Sequence, residues 1–269
     1  MGIGFDMLIR FAVILSAVYL GVCLLLYLLQ DRMLFFPQPL AREPVGPNVQ
    51  PAVVERDGVA LRGWVVNPLS NGPLLFYFSG NAEEVSELAD DFARLDAVSV
   101  LINYRGYGAS DGKPTAVDLI DDAAAVVAEM RARLGGERPV ILFGRSLGSG
   151  IAALATRAGG VDGVILMSPY RSIEAIARRR YPFAPIRWML RQNIDATLAL
   201  DALPARVLIL HARRDSVVPT RESLAFVELL HHDPQVVEFI GPHNIALEIP
   251  ELWGAIEEFV GRAAERGQG

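Results

Sequence analysis

Cysteine is nearly absent from this chain: Cys23 is the single one in 269 residues, so there is no internal disulfide and no cysteine-based metal site. Histidine is scarce too, at four, which leaves few candidates for an imidazole base. Charged residues make up only 21 % of the chain, and their balance is acidic, with a formal net charge of -6 and a pI near 5.3. That balance excludes a general affinity for nucleic acid. Internal repeats and low-complexity segments are missing as well.

Charge is missing altogether from Phe11 to Leu29, FAVILSAVYLGVCLLLYLL, a run of 19 residues. The chain is 52 % apolar with a mean hydropathy of +0.31, and this stretch is where the excess lies. As a helix it has about the length needed to cross a hydrocarbon core of about 30 Å. A buried core helix is seldom apolar on every face, and a cleaved signal peptide has a shorter apolar stretch followed by an A-x-A-like site, which is absent. Leu20-Gly21-Val22-Cys23 resembles an acylation box only superficially, because Val22 is bulky and the apolar run continues past Cys23. Residues 1–30 therefore read as an uncleaved single-pass membrane anchor. Arg10 precedes the run and Arg32 and Arg42 follow it, so charge does not decide which side of the membrane the rest occupies.

Residues 31–51 carry five prolines and little periodicity, as expected of a stiff connector. From residue 52 to 265 the pattern is that of one α/β domain. Asp57-Gly58 between two alternating runs signals a hairpin, Ala52 to Glu55 with Val59 to Val66. Leu74 to Phe78 and Val98 to Ile102 are continuous apolar runs of the kind found in strands buried on both faces. A helix is expected from about Glu83 to Leu95, and another from about Ala116 to Leu134, opened by Pro114, Thr115 and Asp118. Strands Val164 to Met167, Val207 to Leu210 and Val236 to Ile240 follow, with helices Arg221 to Leu230 and Leu247 to Ala264. Alternating strands and helices imply a mostly parallel sheet with helices on both faces and the opening hairpin at its edge.

The rest of the chain is organised around Pro139 to Gly150, PVILFGRSLGSG. A short buried strand, Val140 to Phe143, runs into an Ala-rich helix from Leu147 to Ala158, so Gly144-Arg145-Ser146-Leu147-Gly148 is a tight strand-to-helix turn of the form G-x-S-x-G. Glycine at both ends removes Cβ atoms that would collide, and the turn lifts Ser146 Oγ above the sheet edge. It also aims the N–H of Leu147 and the helix N-terminus at the position of a developing oxyanion. In the plainer reading Ser146 only caps a helix.

A serine hydroxyl needs a base, and an imidazole base needs a carboxylate to hold its tautomer. In a parallel sheet such partners collect at the carboxyl ends of the strands. After Val207 to Leu210 comes HARRDSVVP with Asp215, and after Val236 to Ile240 comes GPHN with His243. His231 and His232 fall at the other end of the sheet, and His211 sits at a strand terminus where it packs. The loop after Val164 to Met167 reads Ser168-Pro169-Tyr170 and has no carboxylate, which favours Asp215. The alternatives are a solvent-exposed loop histidine and a turn carboxylate. The second oxyanion donor is expected in FSGNA, from the N–H of Asn81 with Ala82 next, although Asn81 also suits a helix N-cap.

As an ordered set, MLFFPQP, FSGNAE, NYRGYGASDGKPT, FGRSLGSG, LILHARRDSVVP and GPHN resemble the α/β-hydrolase superfamily, and within it the small abhydrolase-domain branch. That branch includes membrane-anchored acyl-thioesterase-like and lysophospholipase-like enzymes. The resemblance spans roughly Met33 to Phe259 and implies an α/β-hydrolase fold with the order Ser146, Asp215, His243. Its first loop commonly reads His-Gly-Asn where this chain has Ser79, which keeps the backbone donors and removes the imidazole bracing. Ala212 stands where the branch commonly has glycine. Arg105, Gly106 and Gly108 read as structural, shaping a turn that buttresses the oxyanion loop.

A short cap insertion, residues 168–203, holds six arginines between Arg171 and Arg191 against Glu174 alone, among aromatic residues that include Trp188. Arg178, Arg179, Arg180 and Trp188 are its candidates for facing the membrane or an anionic substrate, and the insertion is expected to overhang Ser146. The alternative is a solvated charged face. The expectation is a membrane-anchored serine hydrolase that cleaves an acyl ester or thioester through an acyl-enzyme, with no metal, no cofactor and no obligate protein partner. The competing readings are a serine peptidase with the same triad and a catalytically silent hydrolase fold acting as a scaffold, the latter resting on Ser79.

Overall fold

The computed structural model describes residues 2–266. Eight strands form one sheet in the order β1-β2-β4-β3-β5-β6-β7-β8: β1 Val49–Arg56, β2 Val59–Val66, β3 Leu74–Phe78, β4 Val98–Ile102, β5 Val140–Arg145, β6 Gly163–Met167, β7 Val207–Ala212 and β8 Gln235–Phe239. Only β2 runs against its neighbours, and all pairings from β4 to β8 are parallel. The hairpin closes at Asp57 and Gly58, both at positive φ, the conformation that Asp-Gly turns adopt most readily. Pro51 is tolerated because β1 is an edge strand.

Continuous apolar strands follow from two covered faces. Phe76, Phe78, Val100, Leu142 and Leu166 point to one core with helices α3 Ala116–Leu134 and α4 Leu147–Ala155. Leu75, Tyr77, Leu101, Phe143 and Ile165 point to the other, beneath α2 Ala89–Phe92 and α8 Pro250–Arg266. Helix α3 starts on the Thr115 cap, whose Oγ1 accepts the Asp118 N–H at 3.1 Å. Helices α5 Ile173–Arg180 and α6 Ile186–Met189 make up the cap, and α7 Thr220–Val227 follows β7.

The helix expected from about Glu83 to Leu95 is instead a 3-10 turn, Val85–Leu88, followed by the four-residue α2. Its start is fixed two residues later than expected by acceptors for the unpaired first N–H groups: the Val85 N–H donates to Asn103 Oδ1 at 3.2 Å and the Ser86 N–H to the capping Glu84 Oε1 at 3.0 Å. At the chain start, α1 runs Gly2–Leu34, past the expected anchor and into the connector, while β1 already begins at Val49. Helix α1 is long and apolar enough to cross a membrane, and only 6 % of its most apolar window is buried. Phe11, Leu15, Leu20, Leu24 and Leu28 are all exposed.

Candidate active site

Strand β5 enters α4 through Ser146, whose φ of 51° and ψ of -117° lie where side chains rarely sit. The turn closes because both flanking glycines are in contact with backbone. A Cβ on Gly144 would come within 2.2 Å of the Gly148 carbonyl oxygen, and one on Gly148 within 2.0 Å of the Phe78 carbonyl oxygen. The strained residue is held on both sides, by its own N–H donating to the Met167 carbonyl at 2.8 Å and by its carbonyl accepting from Ser149 N–H and Oγ at 2.9 and 2.7 Å.

His243 opens the 3-10 segment His243–Glu248 after β8 and lies between the other two residues. Its Nε2 is 2.9 Å from Ser146 Oγ and its Nδ1 is 2.6 Å from Asp215 Oδ2. Ser146 and His243 are buried, and the Asp215 side chain is 2 % exposed although the residue as a whole is half-buried. Asp215 Oδ1 accepts the N–H groups of Val217 and Val218 at 2.9 and 2.7 Å, and Oδ2 also accepts the Ser168 hydroxyl at 3.0 Å. Burial opposes the Asp215 charge, but the hydrogen bonds from His243 and the two backbone donors outweigh it and hold the carboxyl below its ordinary pKa. A neutral imidazole that donates Nδ1–H to this carboxylate turns the Nε2 lone pair toward the serine hydroxyl, the geometry of a general base. Ser168 occupies the carboxylate-free loop after β6 and is an added donor to Asp215; nothing in its sequence context singles it out.

Asn81 lies in the loop after β3 and lines the same cleft, of about 690 Å³, as Ser146 and His243. Its carboxamide oxygen accepts the Phe36 N–H at 3.2 Å and the Tyr107 hydroxyl at 3.1 Å. Leu147, the first residue of α4, places its N–H at the helix N-terminus beside Ser146. The loop is braced by Tyr104, whose hydroxyl donates to the Ser79 carbonyl at 3.0 Å. Burial pushes the Tyr104 and Tyr107 hydroxyls well above their ordinary pKa, which keeps them protonated donors. The Ser79 hydroxyl is buried and has no partner among the described residues. Arg105 does not reach this loop: it forms a paired contact with Asp122 at 2.7 and 2.6 Å and a salt bridge to Asp118, tying the turn to α3.

Two further contributions to the cleft come from residues to which the sequence assigned no part in the site. Arg145, the variable residue inside G-x-S-x-G, forms an ion pair with Glu83, and its Nη2 donates to the carbonyls of His243 and Asn244 at 3.3 and 3.1 Å. Glu83 in turn accepts the Gly80 N–H at 2.6 Å and the Tyr77 hydroxyl at 2.7 Å. Burial works against the Arg145 charge, and the Glu83 carboxylate more than compensates. The second contribution is the chain leaving α1. Phe36, Gln38, Pro39 and Ala41 line the cleft, held there by the Gly108 N–H donating to the Gln38 carbonyl at 2.8 Å.

The cap does not overhang Ser146 as its place in the sequence suggests. None of Arg178, Arg179, Arg180 and Trp188 is among the residues lining the cleft. The base of the insertion is pinched shut by a bridge between Ser172 and Asp195 and by the Ile173 N–H donating to the Ile194 carbonyl at 3.1 Å, and the excursion runs sideways onto α1. The three arginines end α5 exposed, Arg180 lining a groove against α1, and Trp188 on α6 is 86 % exposed. His211 is buried, and His231 pairs with Asp201 at 3.0 Å on the surface.

With this geometry the chain can be set beside known proteins. A family profile described as serine aminopeptidase, S33, matches residues 77–195. The chain is 29 % identical over 273 residues to an uncharacterized protein of Mycobacterium tuberculosis, covering 95 % of each. It is 30 % identical over 226 residues to the lysophosphatidylserine lipase ABHD12 of Danio rerio, covering 71 % of this chain and 59 % of that protein. A solved esterase of Pyrococcus furiosus superposes with a TM-score of 0.68 at 17 % identity, over 85 % of this chain and 98 % of the esterase. The chain belongs to the α/β-hydrolase superfamily, in its abhydrolase-domain branch. It is a hydrolase by family, and its sheet is the mostly parallel one that the fold requires. The chain spans about three-fifths of the length of the zebrafish lipase.

Proposed function

We propose that this hydrolase is a membrane-anchored serine enzyme that cleaves the carboxylic ester or thioester of an acyl, lipid-like substrate through an acyl-enzyme. The observation that carries the reading is His243, within hydrogen-bond distance of Ser146 Oγ on one side and Asp215 on the other. Ser146 Oγ attacks the carbonyl carbon as His243 Nε2 takes its proton, and the N–H groups of Leu147 and Asn81 receive the negative oxygen. Collapse breaks the ester or thioester bond, and His243 returns the proton to the departing alcohol or thiol. Water then attacks the acyl-enzyme by the same route, releasing the acid and free Ser146. No step needs a metal or cofactor.

A lipid-like substrate is supported by two facts: the zebrafish relative is a lysophosphatidylserine lipase, and α1 exposes an apolar surface that only a bilayer or a partner would cover. We assign residues 1–30 to the anchor, 31–51 to the connector and 52–265 to the hydrolase domain, with 168–203 as its cap. A fluorophosphonate probe is expected to label the wild type and not Ser146→Ala, and equal labelling of both would overturn the assignment.

A second reading, a peptidase with the same triad, is favoured by the aminopeptidase description of the family profile and by exposed Glu87 at the cleft, a carboxylate suited to a substrate amine. Parallel assays on acyl esters and aminoacyl amides separate the two. Faster turnover of the amides, lost in Glu87→Gln, would displace the esterase reading.

A further inference from the structure

Arg145, Met167 and Leu210 stand side by side on β5, β6 and β7. Ser146 follows Arg145, and Asp215 lies in the loop after β7, so β6 ends between the strand of the nucleophile and the strand of the acid. Neighbouring strands lie about 4.8 Å apart, which leaves about 10 Å between β5 and β7. His243 spans that gap by bonding both Ser146 and Asp215. The end of β6 spans it a second time. Its segment Met167 to Tyr170 supplies none of the three triad residues, yet each of its residues bonds a different part of the site. The Met167 carbonyl accepts the Ser146 N–H at 2.8 Å. The Ser168 hydroxyl donates to Asp215 Oδ2 at 3.0 Å, while the Ser168 N–H donates to the Leu210 carbonyl at 2.7 Å. The Pro169 carbonyl accepts the hydroxyl of Ser223 on α7 at 2.8 Å. The Tyr170 hydroxyl donates to the Leu147 carbonyl at 3.1 Å, so close to α4 that a Cβ on Gly150 would come within 2.5 Å of it.

Ser168 is the member of this segment that reaches the triad with a side chain. It is buried, and its φ of 51° lies in the left-handed region that suits glycine and strains any other residue. Asp215 is held below its ordinary pKa and is therefore ionised. An ionised carboxylate only accepts, so Ser168 gives it its one hydroxyl proton, and Oδ2 receives two donors, Ser168 Oγ and His243 Nδ1. With the Val217 and Val218 N–H groups on Oδ1, the carboxylate takes four hydrogen bonds that fix its plane as well as its place. Ser168 is not among the residues lining the cleft, so it has no contact through which to bind a substrate.

We propose that Ser168 is a positioning residue for hydrolysis: its hydroxyl orients Asp215, and through Asp215 the imidazole of His243, against Ser146. The proposal rests on the hydrolase reading and adds to the triad a fourth side chain that never meets the substrate. Its bond to Asp215 offsets the strain of a side chain at positive φ. Without the hydroxyl, His243 is the one side-chain donor left on Oδ2. The less neutralised carboxylate then holds the imidazolium more firmly, and the pH at which His243 becomes a free base rises. The other charged groups near His243 are Arg145, Glu83, Glu84 and Glu87 lining the cleft and Glu248 on its own 3-10 segment, and a change at Ser168 touches none of them.

The test compares the full-length wild type with Ser168→Gly and Ser168→Ala on a short soluble ester, across the imidazole range of about pH 5 to 8. Glycine removes the hydroxyl and relaxes the backbone, so its unfolding midpoint should match or exceed that of the alanine variant, which keeps the strain. Either variant alone suffices if the other does not fold. Both are expected to lower kcat about tenfold at unchanged KM and to move the acidic limb of kcat/KM to higher pH. In an Asp215→Asn background, Ser168→Gly should lower kcat by less than about twofold more, because the serine acts through the carboxylate already lost. An unmoved limb, a change confined to KM, or a tenfold loss that persists in the Asp215→Asn background would overturn the proposal and leave Ser168 a residue of the fold alone. Fluorophosphonate labelling is read separately. A wild type that neither takes the probe nor turns over ester removes the hydrolase reading and this proposal with it, whereas labelling and turnover undiminished in Ser168→Gly remove only the role of Ser168.

Discussion

Arg145 holds Glu83 with one arm of its guanidinium and the carbonyls of His243 and Asn244 with the other, so one side chain joins the loop that carries Asn81 to the loop that carries His243. Both partners of the ion pair are nearly buried, at 12 % side-chain exposure each. Removing one leaves the other charge uncompensated, which typically costs about 3–5 kcal/mol, whereas removing both costs far less.

Arg145→Gln and Glu83→Gln are each expected to lower kcat/KM by about a hundredfold, the scale of a displacement of about 1 Å at a reacting centre. The double variant should lose much less than the sum of the two, because the groups share one network. Steady-state kinetics on a short ester, with unfolding midpoints as the control, check this. Additive losses would mean that the two side chains act apart.

Asp215→Asn is expected to lower kcat about 10⁴-fold by presenting the wrong imidazole tautomer to Ser146. Stability supplies an independent reading. The depressed pKa of Asp215 means that its ionised form stabilises the fold at neutral pH. That contribution begins to fade near the ordinary carboxylate value of about 3.9 and is gone once the pH has fallen through the lower, folded-state value. The gap in unfolding midpoint between wild type and Asp215→Asn should therefore close as the pH falls through the carboxylate range, below about pH 4.

Tyr107→Phe removes the hydroxyl that bonds both Asn81 Oδ1 and the Phe36 N–H. A stability loss of about 1 kcal/mol is expected, the usual worth of a neutral hydrogen bond. Turnover of a short ester should fall by up to about tenfold while probe labelling of Ser146 persists, since the elbow itself is untouched. Stopped assays paired with probe labelling distinguish this from general unfolding.

Removal of residues 1–30 is expected to give a folded domain that leaves the membrane fraction, because Phe36, Gln38 and the core beneath them remain. Removal of residues 1–41 takes away one wall of the cleft and should abolish probe labelling even where the protein stays soluble. Fractionation and labelling of the two truncations side by side decide it.

Much of this architecture was legible because it depends on local rules. The paired glycines around Ser146, the Asp57-Gly58 hairpin, the Thr115 cap and the continuous apolar strands each follow from sterics or burial that act within a few residues. Asp215 and His243 could be placed near Ser146 from strand order alone, since a parallel sheet gathers its loops at one edge. Other features depend on contacts between distant segments. The Arg145 to Glu83 pair spans 62 positions, and the path of residues 36–41 along the cleft depends on Gly108 and Asn81. The helix expected from Glu83 to Leu95 starts only at Val85, whose N–H is taken by Asn103, a residue that no window around it contains. The cap was expected over Ser146 because its loop leaves the correct edge, yet the hydrogen bonds at Tyr19, Gln30 and Asp31 draw it onto α1.

The hydrogen bond from the Phe36 N–H to the Asn81 carboxamide oxygen has a bearing on how such proteins can be recombined. Domain boundaries are usually sought in linkers that few contacts cross, and a proline-rich stretch such as residues 37–51 invites a cut. Here a junction placed at residue 48 would transplant the sheet without a wall of its own cleft, whereas one placed before Met33 would carry the complete site to a new tether. The transferable unit begins inside the helix.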